Sequence, residues 1–328
     1  MKILTRADAA RFLLEHDHFA ILSHRRPDGD TVGTSAALCR GLRLLGKTAH
    51  VLVNKEVTPR FAWLHEGLTK PWVEEGDTIV SVDVASPEML PADFRPLLGK
   101  IALRIDHHSS ATSFTEQELV DGDSASCAEV VWDVLELMGV KADRALAEAV
   151  YVGVSTDTGC FRFSSTTAKT HLVAAKLIEA GAQVEELNTL LFDTKPRARM
   201  EAERIARNHL EYHLDGRCAL IYLTRDEIEQ SQVDPADLEE LTSLPISIEG
   251  VKVGLTLRQQ PGGSYRISVR TAKGVDACAI ARRLGGGGHT RAAGCELLGN
   301  LDNTKSAILA EVEAELDAPQ TPDGQEEA

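Results

Sequence analysis

Phe19-Ala20-Ile21-Leu22-Ser23-His24 is a short apolar run closed by a histidine, and the segment from Gly33 to Leu45 follows it with apolar residues at helical spacing. The run does not alternate with polar residues, as expected for a strand of a parallel sheet that is covered on both faces. Gly46 is suited to end the following helix, because glycine readily adopts the left-handed backbone of a C-terminal cap. This stretch therefore predicts a buried strand followed by a helix.

The same alternation continues over about the first 190 residues. Further strands are predicted over residues 50–53, 78–84 and 101–106. Further helices are predicted over residues 125–138, 143–156 and 167–180. Asp143 and Thr167 are suited to be helix N-caps, because their side-chain oxygens can accept hydrogen bonds from the first free amides. Strands alternating with helices predict an α/β domain with a doubly wound, mostly parallel sheet and helices on both faces.

The pattern changes near Pro196, where the chain becomes polar and helical in a way that suits a connector. A length of 328 residues favours about two domains. A smaller α/β domain is predicted next, with strands over 218–223, 251–257 and 265–269 and helices over 234–241, 276–284 and 305–316. The expected boundaries are a larger domain at 1–190, a helical linker at 191–213, a smaller domain at 214–317 and a disordered tail at 318–328.

Composition limits the class of protein. Hydrophobic residues make up 43% and charged residues 26% of the chain, as in soluble globular proteins. No apolar stretch approaches the ~20 residues of a membrane span, so we expect no membrane partner. Six scattered cysteines without a C-x-x-C pair indicate buried free thiols in a reducing compartment, and hence a cytoplasmic protein. The net charge of −15 argues at first against polyanionic partners such as nucleic acid.

Carboxylates and histidines gather in four places in the first domain. The four groups are His24, Asp28 and Asp30 in H-R-R-P-D-G-D, Asp83 after a strand, Asp106, His107 and His108 after another strand, and Asp157 in S-T-D-T-G. Three of the groups stand at the carboxyl ends of predicted parallel strands, the edge at which open α/β sheets bind ligands. The fourth is near the end of a helix that could return to the same edge.

The residue types in these groups point to metal ions. A single aspartate after a strand is usually a turn residue or a helix N-cap, and P-D-G-D alone is ordinary turn chemistry. Together the groups offer hard oxygen and imidazole ligands without thiolates, which suits manganese, magnesium or iron better than structural zinc. Their side chains exceed the needs of one ion, so two ions are expected. Without cations, so many carboxylates would raise one another's pKa values.

The second domain contributes G-G-G-G-H-T-R-A-A-G, which runs from Gly285 to Gly294. This segment is either a flexible loop or an anion-binding nest of backbone amides, and it lacks the Lys-Ser or Lys-Thr of a P-loop. A histidine and an arginine in it could donate charged hydrogen bonds to a phosphate. The candidate substrate-binding residues are Gly286, Gly287, Gly288, His289 and Arg291, together with Arg258 and Arg270 on neighbouring strands, where surface charge is the alternative.

The ordered set of motifs resembles the DHH phosphoesterase superfamily. H-x-x-P-D-G-D, the strand-terminal Asp83, D-H-H and D-T-G are similar to its four motifs, and G-G-G-G-H-x-x-A-A-G is similar to the signature of the DHH-associated C-terminal domain. The match runs from Phe19 to Leu297. The compact length most resembles the bacterial branch of oligoribonucleases (nanoRNases) that also dephosphorylate 3′-phosphoadenosine 5′-phosphate (pAp). The resemblance implies a DHH catalytic domain, a DHH-associated substrate-binding domain and a catalytic cleft between them.

The resemblance also implies roles for the site residues. One ion would be held by His24, Asp28 and Asp83, and the other by Asp30, Asp83, His107 and Asp157, with Asp83 bridging. Manganese is the implied metal, with magnesium or cobalt as alternatives. Asp106 would orient His107 without binding a metal, and His108 would face the scissile phosphate to stabilise charge or protonate the leaving oxygen. No ligand of the pattern is missing, which argues against an inactive member.

The implied function is hydrolysis of oligoribonucleotides of two to five nucleotides to mononucleotides, and of pAp to AMP, through attack of a metal-activated hydroxide on phosphorus. The alternatives are a phosphodiesterase for linear or cyclic dinucleotides, a short-chain polyphosphatase and a non-catalytic nucleotide-binding regulator. The negative charge fits this function, since four acidic residues lie in or beside the tail and five in the proposed metal site. The negative charge still argues against long duplex nucleic acid as a partner and favours short RNA or nucleotide substrates. Whether the protein forms a homodimer is left open.

Overall fold

The computed structural model describes residues 2–109 and 111–318. Its contacts divide the chain into two compact units, Met1–Thr194 and Lys195–Ala328. Each unit has its own sheet and its own hydrophobic core. The tail predicted to be disordered lies, apart from Ala318, outside the described residues.

The first unit is built on a seven-stranded sheet in which every pair of neighbouring strands is parallel. Its strands are β1 (Lys2–Ile3), β2 (Phe19–Leu22), β3 (Ala49–Leu52), β4 (Thr69–Lys70), β5 (Thr78–Val82), β6 (Ile101–Asp106) and β7 (Gln117–Val120). They lie in the order β1-β7-β6-β5-β2-β3-β4. The predicted mostly parallel sheet is therefore confirmed, and the sequence pattern missed the short strands β1, β4 and β7.

Helices pack on this sheet and complete the larger core. They are α1 (Arg6–Glu15), α2 (Gly29–Leu44), α3 (Pro59–Ala62), α4 (Cys127–Leu137), α5 (Arg144–Asp157), α6 (Ala168–Glu179) and α7 (Val184–Asn188). The predicted N-caps are confirmed, because the side chains of Asp143 and Thr167 accept from the amides of Leu146 and Thr170. α2 begins four residues before the predicted start at Gly33, since Asp28 caps it by accepting from an amide in its first turn.

The two faces of the sheet are covered differently. Phe19 and Ile21 point into the large core formed with the helices, whereas Ala20 and Leu22 point into a smaller cluster on the opposite face. A 3₁₀-helical segment, Ala92–Lys100, supplies apolar side chains to that smaller cluster. Both faces of the strands are therefore buried, which explains why their sequences are continuous apolar runs rather than alternating ones.

Gly33 allows α2 and α5 to pack closely. A Cβ atom added at Gly33 would lie 2.9 Å from the amide nitrogen of Gly153, and closer still to the carbonyl oxygen of Ala149, both on the α5 backbone. Backbone atoms in a helix cannot turn aside as a flexible side chain can, so a side chain at this position would push the two helices apart.

Gly33→Ala is expected to lower the free energy of unfolding by about 2 kcal/mol, because an overpacking cost near the upper end of the usual ~1–3 kcal/mol outweighs the ~1 kcal/mol gained when alanine replaces glycine in a helix. Gly41→Ala on the same helix is the matched control, since its Cβ would meet only the movable side chain of Leu135, 2.5 Å from Cδ2. Urea unfolding of both variants measures the difference. Equal effects of the two substitutions would contradict a close backbone contact at Gly33.

The second unit is built on a six-stranded mixed sheet with the order β12-β13-β11-β10-β9-β8. Its strands are β8 (Glu211–His213), β9 (Cys218–Leu223), β10 (Val253–Gln259), β11 (Tyr265–Thr271), β12 (Gly287–His289) and β13 (Ala292–Leu297). Its helices are α8 (Arg197–Asn208), α9 (Arg225–Ser231), α10 (Pro235–Glu240), α11 (Ala277–Arg283) and α12 (Leu301–Leu316). Within this sheet, over the residues that the structure describes, β9 and β10 pair in parallel and the other neighbouring strands are antiparallel.

Two segments of this unit differ from what the sequence pattern indicates. α8 falls in the segment that the sequence pattern predicts to be a linker. It packs Ala202 and Ala206 against Ile221 of β9 and so lies within the second unit. The glycine run is not simply a loop, because its last residues form β12 and pair with β13. Gly286 approaches the carbonyl oxygen of Gly294 too closely for any side chain to fit. Composition alone indicates a loop, whereas here glycine is required for the close approach of two backbones.

All six cysteines lie within the described residues and are free thiols, five of them buried and Cys160 half-buried. In the part of the chain that the structure describes, no helix is long and apolar enough to cross a bilayer.

Candidate metal centre

Three neighbouring strands of the first sheet bring candidate ligands to one edge. His24 follows β2, Asp83 follows β5, and β6 ends with Asp106, just before His107. Because these strands are adjacent and parallel, their carboxyl ends meet at the same edge. α5 ends at this edge with Asp157, as the sequence suggested for the fourth group.

One group of ligand atoms surrounds His24. Its Nε2 atom lies 3.5 Å from Oδ2 of Asp83 and 3.9 Å from Oδ1 of Asp28. Its Nδ1 atom lies 2.7 Å from the carbonyl oxygen of Arg25. This contact fixes the ring so that Nε2 points toward the two carboxylates.

A second group surrounds His107 and shares Asp83 with the first. The Nε2 atom of His107 lies 3.6 Å from Oδ1 of Asp83. The same atom lies 3.7 Å from Oδ2 of Asp30 and 3.4 Å from Oδ2 of Asp157. The structure thus brings all six predicted ligands together, with Asp83 between two histidines.

Asp83 is buried and only partly satisfied by hydrogen bonds. Its backbone φ is 57°, a left-handed conformation that aspartate and asparagine tolerate better than most residues. The Thr31 hydroxyl donates to Oδ2 at 2.5 Å, whereas Oδ1 accepts no hydrogen bond. A buried carboxylate oxygen without a donor is costly, and a cation would satisfy it.

Asp30 is held at the N-terminus of α4. Its carboxylate accepts hydrogen bonds from the amides of Cys127 and Ala128 at 2.7 and 2.9 Å and from the Thr34 hydroxyl at 3.0 Å. Burial and the charge of Asp83 nevertheless raise the pKa of Asp30 well above its ordinary value. These donors fix the carboxylate in place but do not offset the negative charge around it.

The pKa values of Asp157 and His24 are also shifted by the negative charge gathered at this edge. Burial and the charge of Asp83 raise the pKa of Asp157 to about 7. Burial opposes protonation of His24, but its contact with Asp83 raises the pKa of that histidine to about 9. Carboxylates gathered in this way are stabilised by positive charge, and divalent ions would supply it.

Ligand type and spacing both fit divalent ions. Atoms that lie about 2.1 Å from one ion are separated by about 3–4 Å, and the separations here are 3.4–3.9 Å. His24, Asp28 and Asp83 converge in one group, and Asp30, His107 and Asp157 in another. Imidazole nitrogens and carboxylate oxygens without thiolates suit manganese, magnesium or iron.

His108 lies beside the ligands and is held by Asp106. Its Nδ1 atom lies 2.8 Å from Oδ1 of Asp106 and 3.6 Å from Oδ1 of Asp83. The hydrogen bond to Asp106, opposed by burial, raises the pKa of His108 to about 9. Asp106 contacts His107 only through its backbone amide, at 2.8 Å. The ring that Asp106 orients is therefore that of His108, whereas Nδ1 of His107 faces the carbonyl oxygen of Ser124 at 3.3 Å.

Two residues around the ligands were not predicted from sequence. Thr31 could not be predicted, because no sequence pattern distinguishes a threonine that contacts a site from any other threonine in the first turn of a helix. Arg104 is fully buried and donates to Oδ2 of Asp106 at 2.6 Å, with Glu118 3.6 Å away. Burial opposes the effect, but His108 and Arg104 lower the pKa of Asp106 to about 2. An arginine inside a strand of buried type is the signal, since such an arginine needs a carboxylate partner.

The candidate substrate-binding residues of the second unit lie on or beside its sheet. Arg258 is buried and donates to Oε1 of Glu239 at 2.6 Å. Arg270 is half-buried, and the exposed Arg291 donates from Nε to a backbone carbonyl of β11 at 2.7 Å. His289 and the two glycines before it form the exposed strand β12. Arg258 is thus engaged within the unit, whereas β12 and Arg291 are open to solvent.

Comparison with known proteins agrees with this geometry. The model of the DHH family N-terminal domain matches residues 18–154, and that of the DHHA1 domain matches residues 217–317. The chain is 33% identical to the bifunctional oligoribonuclease and PAP phosphatase NrnA of Thermus thermophilus, with 90% of this chain and 89% of the relative covered. Identity to the protein of the same name from Bacillus subtilis is 24%, with 89% and 93% covered.

A solved structure supports the fold. The exopolyphosphatase-related protein from Bacteroides fragilis has a TM-score of 0.79 and 23% identity, with 94% of this chain and 96% of that chain covered. At this identity the likeness supports the fold alone. Both domain matches and the 33% identity along nearly the whole chain show that the protein belongs to the family of DHH phosphoesterases that includes NrnA.

Proposed function

We propose that the protein hydrolyses oligoribonucleotides of two to five nucleotides to mononucleotides, and pAp to AMP. The observation that carries the proposal is the convergence of six ligands and His108 at one sheet edge. The relatives named above for oligoribonuclease and PAP phosphatase activity support it.

Two divalent ions are the proposed cofactors, manganese first, with magnesium or cobalt as alternatives. His24, Asp28 and Asp83 would hold one ion, and Asp30, Asp83, His107 and Asp157 the other. Ions bound there would favour a water nucleophile near neutral pH and neutralise charge that develops on the phosphate. Asp83 can serve both groups because its two oxygens face different histidines.

His108 is proposed to protonate the leaving oxygen. Its Nδ1 atom is engaged by Asp106, so Nε2 is the nitrogen offered to the substrate. A proton on Nε2 would pass to the ester oxygen as the bond from that oxygen to phosphorus breaks. Asp106 and Arg104 would act as positioning residues that hold the ring.

In the second unit, Gly286, Gly287, Gly288, His289 and Arg291 are proposed to bind a phosphate of the substrate. The exposed β12 strand and the neighbouring guanidinium offer backbone and charged donors. Arg270 would add charge, whereas Arg258 is buried and donates from one guanidinium nitrogen to Glu239.

A substrate panel tests the activity. The protein is incubated with manganese and pApA, pGpG, pAp, cyclic dinucleotides or polyphosphate, and the products are separated by chromatography. Preferred turnover of pApA and pAp supports the proposal. Preferred turnover of cyclic dinucleotides or polyphosphate would overturn it, and binding without turnover of any of them would identify a regulator.

Manganese is expected to raise the midpoint of thermal unfolding, because an ion that binds only the folded chain adds about 2.7 kcal/mol at a concentration of 100 times its dissociation constant. Differential scanning fluorimetry of protein treated with a chelator, then titrated with manganese, magnesium or cobalt, measures the effect. The Asp93→Asn variant, which alters an exposed carboxylate, should respond like the wild type. The metal site would be contradicted if none of the three ions shifted the midpoint.

We also propose a cytoplasmic location, which the six free thiols support. Light scattering in solution tests the homodimer that the sequence leaves open.

A further inference from the structure

The segment that follows Asp157 has an unusual backbone. Gly159, Cys160 and Phe161 have φ values of 56°, 59° and 61°, three left-handed residues in succession. Side chains disfavour this conformation, and strained backbone of this kind is retained mainly where it serves a functional site. The strain here lies two to four residues from a proposed metal ligand.

The two phenylalanine rings of this segment lie in different environments. The Phe161 ring packs against the core and stacks on the His171 ring at 5.3 Å and 23°. The Phe163 side chain is 57% exposed. All eight phenylalanines lie within the described residues, and Phe163 is the one that is exposed rather than buried or half-buried. An exposed aromatic ring offers a flat apolar face against which another ring can pack.

The exposed ring is held by the turn that directly follows Asp157. The amide of Phe163 donates to the carbonyl oxygen of Thr158 at 3.0 Å. The ring lies against Gly159, where an added Cβ would come within 2.6 Å of Cε1. Arg162 donates from Nε to the carbonyl oxygen of Gly159 at 2.5 Å and braces the same turn. The ring is therefore positioned by contacts to the two residues that directly follow Asp157.

We propose that Phe163 is the surface on which a nucleobase of the substrate stacks while the neighbouring phosphate lies at the metal ligands. A flat, exposed ring can stack any base, since every base has a π face. Such a contact would recognise that a substrate is a nucleotide without selecting its sequence. The inference rests on the proposed function, and it adds the residue that separates nucleotide esters from phosphate esters without a base.

Fluorescence provides a direct test. The probe is a dinucleotide that carries 2-aminopurine and a non-hydrolysable methylphosphonate linkage, titrated with the full-length protein in manganese. Stacking should quench the fluorescence with the wild type and with Phe163→Trp, but not with Phe163→Ala. Trp72→Ala is the matched control, because Trp72 is an aromatic residue of the same unit with 62% exposure. It should quench like the wild type.

Kinetics separate stacking from a structural role. Phe163→Ala should raise KM for pApA about 5- to 150-fold, the range that corresponds to ~1–3 kcal/mol of base stacking. KM for an abasic analogue of the same diester should change less than twofold, and Phe163→Trp should restore KM for pApA. Equal increases with both substrates, or unchanged quenching by Phe163→Ala, would overturn the inference.

The two proposals fail differently. If the wild type cleaves pApA and pAp but Phe163→Ala behaves like the wild type, only the stacking surface is wrong. If the wild type neither cleaves these nucleotides nor quenches the probe, both are wrong.

Discussion

Asp83→Asn is expected to abolish hydrolysis of both pApA and pAp. Asp83 stands between His24 and His107 and is the one carboxylate shared by the two ligand groups. The substitution should therefore weaken both proposed metal positions at once, with a loss in kcat/KM beyond the roughly 10- to 100-fold cost of losing a residue that only supports a metal ligand.

Asparagine is the informative replacement at this position. The backbone φ of Asp83 is 57°, which asparagine accepts, whereas alanine would add strain unrelated to metal binding. Calorimetric titration with manganese should show weaker binding by Asp83→Asn, and Asp93→Asn, at an exposed ion pair with Lys55, should match the wild type in both measurements. Metal-dependent turnover within tenfold of the wild type would refute the assignment of Asp83.

Arg104→Met is expected to lower the free energy of unfolding by about 3–5 kcal/mol, the usual cost of removing one member of a buried ion pair. Arg104 is fully buried, bonds to Asp106 at 2.6 Å and lies 3.6 Å from Glu118. It also donates to the carbonyl oxygen of Thr112 at 2.8 Å and lies over the ring of Phe114. Methionine would fill part of the volume but leave two carboxylates buried without their cation.

The control for Arg104 is an exposed ion pair. Arg144→Met breaks the pair with Glu148 on the surface of α5, where a loss of at most ~1 kcal/mol is expected. Urea unfolding compares the two variants. A loss below ~1 kcal/mol for Arg104→Met would mean that the buried carboxylates do not depend on this arginine.

The architecture of the site was predictable because it follows from the parallel sheet. The carboxyl ends of adjacent parallel strands share one edge, so His24, Asp83 and His107 had to approach one another once their strands were recognised. The N-caps of α5 and α6 were equally predictable, since the side chains of Asp143 and Thr167 accept hydrogen bonds from amides only three residues away.

Contacts between distant segments were not predictable. Arg104 faces Glu118 because β6 pairs with β7, and β7 (Gln-Glu-Leu-Val) lacks the continuous apolar run that marks the other buried strands. The glycine run resembles a loop in composition, and only its pairing with β13 shows that it ends in a strand. The hydrogen bond from Thr31 to Asp83 joins residues 52 positions apart, and no local pattern records it.

Both sheets end in very short strands. The outer strands of the first sheet, β1 and β4, have two residues each and each contains a lysine, and those of the second sheet, β8 and β12, have three. Short outer strands offer few free backbone groups to a second chain, so uncontrolled growth of the sheets into aggregates is disfavoured. If the protein forms a homodimer, we expect the contact to be made by side chains on helices and loops rather than by joining sheets.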